Sequence, residues 1–276
     1  MKPEIRLIAS DLDGTLLLDG AQSLRPETCR LIHSLTARGI YFFAASGRQY
    51  PNLQRLFAPV KNEIGYICEN GCLSFFQGEQ IYKETMPREL GQEIMRAIWE
   101  REGCEILLSG VNTSYLQPKD MKYYYHMRDT VKNNVTLVPD IFQVREEYMK
   151  ISVYMERGIA DSAGYWKERF GDRLTVVTSG FEWLDMMPKH VDKGFGMRKV
   201  LEYLEVEPEA CMAFGDNYND MEMLEMVGFP IAMEKAVPEL KAVSRYQTGR
   251  VERVLEEVLA GTFRHTQGGS GYERIQ

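Results

Sequence analysis

Short, almost wholly apolar runs that stop abruptly at small or acidic residues recur at both ends of this chain. Ile5 to Ser10 runs into Asp11-Leu12-Asp13-Gly14, Ile40 to Ala45 runs into Ser46-Gly47-Arg48, and Ile64 to Cys68 follows. Near the other end, Ala210 to Phe214 stops at Gly215-Asp216, and Phe229 to Met233 comes after it. Runs of this length without alternation read as strands buried on both faces. Between them lie stretches of helical spacing. Pro26 to Arg38 carries Leu31, Ile32 and Leu35 and is closed by Gly39; Tyr50 to Phe57, Lys193 to Leu204, Asp220 to Val227, Pro238 to Val243 and Val251 to Leu259 are the others. Strand and helix in alternation predict an α/β fold: a Rossmann-like, parallel-sheet core.

The middle of the chain has a different texture. Glu89 to Glu102 reads as an amphipathic helix and Ala160 to Phe170 as another. Glu105 to Leu108, Ser114 to Gln117, Ile151 to Met155 and Thr175 to Ser179 read as strands. This predicts an α+β domain inserted into the parallel-sheet domain, with charged turns near Tyr82-Lys83 and Pro188-Lys189 as boundaries. The division is 1–82 and 188–260 for the core, 83–187 for the insertion, and a glycine-rich, flexible tail over 261–276.

A length of 276 residues accommodates two such domains. The net charge of −7, with scattered lysines and arginines, argues against nucleic acid as a partner. Cys29, Cys68, Cys72, Cys104 and Cys211 are dispersed and odd in number, which fits buried thiols in a reducing compartment better than a disulfide framework or a zinc site. No run approaches the roughly 20 apolar residues of a membrane span, and Met1 to Glu4 leads into the first strand without an apolar leader. A cytoplasmic protein without membrane partners is expected; the sequence is silent on oligomeric state.

Four polar clusters fall at or just after strand ends, where open α/β sheets bind ligands. Asp11 and Asp13 offer two carboxylates one residue apart; the same residues also suit an Asx-turn or a helix cap. Gly14 is in the wrong register for a calcium-binding EF-hand loop. Asp216 and Asp220 add two more carboxylates, with Asp216 or Asn219 as alternative helix caps. Brought beside Asp11 and Asp13, these acids repel one another unless a cation lies between them, and oxygen-only ligands favour Mg²⁺. Ser46 and Gly47 offer a hydroxyl and backbone N–H groups at a helix N-terminus, suited to a phosphate oxygen or simply to capping. Arg48 fits either a phosphate contact or the surface. Lys193, in the first turn of a helix where its charge is mildly unfavourable, fits a phosphate neutraliser or a solvated side chain. The P-loop, the dinucleotide fingerprint and the serine-hydrolase elbow are all missing from the sequence.

In chain order, Asp-Leu-Asp-Gly-Thr-Leu-Leu (11–17), Ala-Ser-Gly-Arg (45–48), Lys-Gly (193–194) and Gly-Asp-Asn-Tyr-Asn-Asp-Met (215–221) closely resemble the motifs of the haloacid dehalogenase superfamily. The large insertion between the second and third motifs resembles its Cof-like, type IIB branch, as do Glu69-Asn70-Gly71 and Lys150-Ile151. The resemblance extends to about Leu259. It implies a Mg²⁺-dependent phosphatase acting on a small phosphorylated metabolite such as a sugar phosphate, with the insertion as a cap domain. Asp11 is then the nucleophile that forms an aspartyl-phosphate, and Asp13 the acid and base. Leu12, Ser46, Gly47, Lys193 and Asn219 hold the phosphate. Asp11, Asp216 and the carbonyl of Asp13 hold Mg²⁺, with Asp220 supporting them. Tyr246 to Val251 departs from the branch, lacking its acidic and amide residues. The alternatives are a phosphomutase or phosphotransferase, and a non-catalytic phospho-acceptor module. The run Tyr123-Tyr124-Tyr125-His126 receives no role.

Overall fold

The computed structural model describes residues 4–111, 113–263 and 273–274. The chain begins with β1 (Leu7–Ser10), α1 (Pro26–Thr36), β2 (Tyr41–Ala45), α2 (Tyr50–Leu56), β3 (Gly65–Cys68) and the hairpin β4 (Leu73–Phe76) and β5 (Glu79–Lys83). A second unit follows: α3 (Arg88–Trp99), β6 (Glu105–Ser109), β7 (Ser114–Leu116), α4 (Met121–Tyr125), β8 (Val135–Leu137), β9 (Lys150–Tyr154), α5 (Ala160–Phe170), β10 (Leu174–Thr178) and β11 (Trp183–Pro188). The chain then returns through α6 (Lys193–Leu204), β12 (Cys211–Gly215), α7 (Met221–Met226), β13 (Phe229–Met233), α8 (Pro238–Val243), β14 (Tyr246–Thr248), α9 (Val251–Ala260) and β15 (Glu273–Arg274).

The first sheet has the order β15-β14-β13-β12-β1-β2-β3-β4-β5. Its strands are parallel from β15 to β3. Leu7, Ile8 and Ala9 of β1 are wholly buried, as a strand covered by helices on both faces requires. In α1, Thr28, Cys29, Ile32 and Leu35 form the buried stripe, and Pro26 occupies the first turn, where its missing N–H costs nothing. All five cysteines are buried and unpaired with one another.

One edge differs from the expected all-parallel sheet, because β4 and β5 add to β3 as antiparallel strands. Gln77 (φ 51°) and Gly78 (φ 85°) form the connection. Two consecutive left-handed residues match the right-handed twist of a tight hairpin.

The second sheet, β10-β11-β9-β6-β7-β8, separates its faces by alternation. Ile106 and Leu108 of β6, Ile151 and Val153 of β9, and Leu184 and Met186 of β11 share one core with Ile94, Met95 and Ile98 of α3 and Trp166 and Phe170 of α5. Register places Leu107, Ser152 and Asp185 in one row of the other face, with Ser109 beside Lys150. β11 escapes the sequence reading because Asp185 breaks its apolar run. Gly261 (φ 68°) closes α9, and β15 runs parallel beside β14. Otherwise the expected tail lies outside the described residues.

Candidate active site

β1 and β12 are neighbours, yet the chain leaves them in opposite directions, towards β2 and β13 respectively. Such a switch point opens a crevice at the carboxyl ends of the strands. Asp11 directly follows β1 and Asp216 directly follows β12. A cleft of about 280 Å³ opens there. One wall carries Asp11, Asp13, Ser46, Gly47, Asp216 and Asn219; the other, from the second sheet, carries Leu107, Lys150, Ser152, Trp183 and Asp185.

Lys193, the first residue of α6, is completely buried rather than solvated. Asp192 caps the helix by accepting from the N–H of Phe195 at 2.6 Å. The Lys193 ammonium donates to Asp11 Oδ1 at 2.5 Å and to Asp220 Oδ1 at 2.6 Å. Burial opposes that positive charge, but Asp11 and Asp220 hold the Lys193 pKa above its ordinary value. The other oxygen of Asp220 accepts the backbone N–H groups of Asp216 (2.9 Å) and Asn217 (3.1 Å). Asn217 and Asp220 therefore form the capping box here, in place of Asp216 or Asn219.

Asp11 is left with a buried Oδ2 that has no hydrogen-bond partner. Burial, and then the nearby carboxylates of Asp220, Asp216 and Asp13, push its pKa well up against the pull of Lys193. Burial and Asp220 raise Asp216 to about 6. Oxygens of Asp11, Asp216 and Asp220 lie within 4.8 Å of one another. An orphaned buried carboxylate oxygen among further carboxylates is the environment that a hard cation stabilises, so the donor set fits Mg²⁺. Both Asp220 oxygens are already engaged, which leaves Asp11 and Asp216 as the side chains able to bind directly. Gly14 (φ 89°) fits this packing, because a Cβ there would lie 2.2 Å from Asp216 Oδ2.

Asp13 is the exposed member of the acidic set, with 59% of its side chain accessible. Arg48 grips it through two bonds, Nε to Oδ2 at 2.9 Å and Nη2 to Oδ1 at 2.6 Å. Arg48 thus belongs to the cleft rather than to the outer surface. The Leu12 side chain is wholly buried, so only its backbone can face a ligand.

Ser46 differs from expectation. α2 begins at Tyr50, so Ser46 sits in the loop between strand and helix and does not cap that helix. Its hydroxyl accepts from the Arg48 N–H at 3.2 Å. Asn219 donates to Asn70 Oδ1 at 3.3 Å. The Tyr246 to Val251 segment builds β14 and the turn into α9, and none of its residues lines the cleft. Tyr123 stacks on Tyr154 at 4.8 Å, and Met127, one turn on, reaches the cleft instead.

Glu69, Lys150, Ser152 and Asp185 also line this cleft, although the residue chemistry alone assigns them nothing. The only signal was the Glu69-Asn70-Gly71 turn after β3 and the Lys150-Ile151 pair.

Comparison with known proteins agrees with this architecture. The model of the haloacid dehalogenase-like hydrolase family matches residues 8–254. The 5-amino-6-(5-phospho-D-ribitylamino)uracil phosphatase YbjI of Escherichia coli (strain K12) is 30% identical over 92% of this chain and 96% of its own. A crystal structure from Streptococcus mutans UA159 superposes with a TM-score of 0.84 at 26% identity, covering 93% of this chain and 100% of that one. A structure described as a subclass IIB sugar phosphatase of the superfamily shares the fold at a TM-score of 0.78 and 22% identity, over 94% of this chain and 100% of the other. With the family model spanning most of the sequence, the chain belongs to the haloacid dehalogenase-like hydrolases.

Proposed function

We propose that the protein is a Mg²⁺-dependent phosphatase that hydrolyses small phosphomonoesters, sugar phosphates among them, through an aspartyl-phosphate at Asp11. The observation that carries this reading is the asymmetric carboxylate of Asp11, with one oxygen anchored by Lys193 and the other buried, unpartnered and beside Asp216. With Oδ2 turned to the cation, Lys193 orients Oδ1 as the oxygen that attacks phosphorus. Asp11, Asp216 and the Asp13 carbonyl would hold Mg²⁺, and Asp220 keeps Lys193 and the Asp216 loop in place. The ion supplies charge neutralisation that lets an anionic nucleophile approach an anionic phosphoryl group.

Lys193, the Ser46 hydroxyl, Asn219 and the backbone of Leu12 and Gly47 grip the phosphoryl oxygens. Positioning and electrostatics of this kind supply most of the catalysis in phosphoryl transfer. Asp13, at the exposed side of the cleft, protonates the leaving alcohol and then takes a proton from the attacking water. In this reading 1–82 and 188–260 form the catalytic core and 83–187 a cap, whose sheet excludes water from the cleft.

A phosphate-release assay over a panel of phosphorylated metabolites, with and without Mg²⁺, tests the reading. Asp11→Asn is expected to lower kcat by about 10⁴-fold or more. Full activity in that variant would rule out the covalent route. Transfer of phosphate to an added sugar, in place of release, would make the protein a phosphotransferase.

A further inference from the structure

A second buried ionic cluster joins the two sheets beside the phosphate-gripping loop. Lys150, in β9 of the second sheet, donates to Gly47 O at 2.8 Å and forms ion pairs with Glu69 Oε2 at 2.8 Å and Asp185 Oδ2 at 3.4 Å. Lys150, Glu69 and Asp185 are all buried. Gly47 and Glu69 belong to the first sheet's loops, whereas Lys150 and Asp185 belong to the second sheet. Ser109 donates to Glu69 Oε2 at 3.2 Å and Ser152 donates to Asp185 Oδ1 at 2.5 Å, so the cap side of the cluster is itself held.

The core side of the cluster is strained. Glu69 (φ 50°) and Asn70 (φ 55°) are both left-handed, a conformation that non-glycine residues keep only when their surroundings impose it. The turn is pinned to the phosphate loop by Glu69 N to Arg48 O (3.2 Å) and Asn70 N to Ser46 O (3.0 Å). Gly71 seats it on the start of α6, where a Cβ would lie 2.0 Å from Asp192 O. Asn70 completes the connection, donating to Asp185 Oδ2 at 2.7 Å and accepting from Asn219.

We infer that Lys150 is a positioning residue for phosphoryl hydrolysis, tying the closed cap to the carbonyl of Gly47 and thereby setting the loop that grips the phosphate. This rests on the phosphatase reading above. Lys150 acts through Ser46 and Gly47, so its effect is independent of the leaving group. A lysine that contacted the leaving group would matter only for substrates large enough to reach the cap.

Lys150→Met separates these roles. Two quantities are measured in Mg²⁺: kcat for methyl phosphate and for a hexose phosphate, and the Kd of inorganic phosphate by calorimetry. The expected result is a loss of about 10- to 100-fold in kcat, equal for both substrates, with phosphate binding weakened about tenfold. A folded variant with unchanged kcat and phosphate Kd overturns the inference, as does a loss confined to the hexose phosphate. If Lys150→Met does not fold, Glu69→Gln keeps Asp185 as the counter-ion and is expected to lose several-fold in both quantities; a folded Glu69→Gln unchanged in both also overturns it. The phosphate-binding arm needs no turnover, so a wild-type protein that bound phosphate but hydrolysed nothing would defeat the phosphatase reading while still testing the role of Lys150.

Discussion

Two buried lysines are each held by two acids; of these acids, Asp11, Glu69 and Asp185 line the same cleft, and the clusters differ in what gathers around the oxygen each leaves open. Lys193 joins Asp11 to Asp220 beside the first sheet, and its arrangement leaves Asp11 Oδ2 unpartnered in a group that also holds Asp216. Lys150 joins Glu69 to Asp185 across the two sheets; Glu69 Oε1 is also unpartnered, but among the described residues no third acid joins this pair within metal-ligand range. The same charge pattern is set in two surroundings: one cluster gathers further carboxylates around its open oxygen, and the other ties the two walls of the cleft together. In both, a lysine without its acids, or acids without their lysine, would be a buried uncompensated charge, which costs far more than the intact cluster contributes.

Substituting the two lysines separates the clusters most sharply. Lys193→Met is expected to reduce kcat by about 10³-fold, since it removes the donor that orients Asp11 and faces the phosphoryl group. It also leaves two carboxylates unpaired in the interior, at a stability cost of about 3–5 kcal/mol measured by denaturant unfolding. Lys150→Met is expected to cost comparable stability but far less activity. Equal losses of activity would erase the distinction between a group at the reaction centre and one that positions it.

A smaller effect follows from the cation. At about 100 times its dissociation constant, Mg²⁺ is expected to stabilise the folded protein by about 2.7 kcal/mol, read as a rise in Tm. Asp216→Asn is expected to abolish the rise, and Glu69→Gln to keep it. A rise that disappears in Glu69→Gln and persists in Asp216→Asn would move the ion from the first cluster to the second.

The two clusters also differ in how far the sequence displays them. Asp11, Ser46 and Asp216 each follow a short apolar strand of a parallel sheet, and that topology brings strand ends together, so their proximity is legible from strand order. Lys193 is legible from the cost of a cation in a helix's first turn. Its burial is not, because it depends on Asp11, 182 residues away in the chain, as well as on Asp220. The second cluster is assembled from an antiparallel sheet, where a one-residue shift turns a side chain to the opposite face. Asp185 therefore carries no readable address and even hides its own strand, and Lys150 shows only through the resemblance of the Lys150-Ile151 pair. The Arg48–Asp13 pair is illegible for a related reason: it depends on side-chain directions in two loops. The β4–β5 hairpin is missed because β5, Glu79-Gln80-Ile81-Tyr82-Lys83, is largely polar and half exposed.

Covalent phosphorylation of Asp11 is the step on which the proposed chemistry turns. The most direct measurement is borohydride trapping during turnover, followed by peptide mass spectrometry. Reduction of an aspartyl-phosphate converts that residue into homoserine. Homoserine is expected at position 11, dependent on both substrate and Mg²⁺, and at none of positions 13, 216 and 220. An enzyme that releases phosphate steadily while residue 11 remains aspartate under trapping, or one in which residue 13 is converted instead, would contradict it.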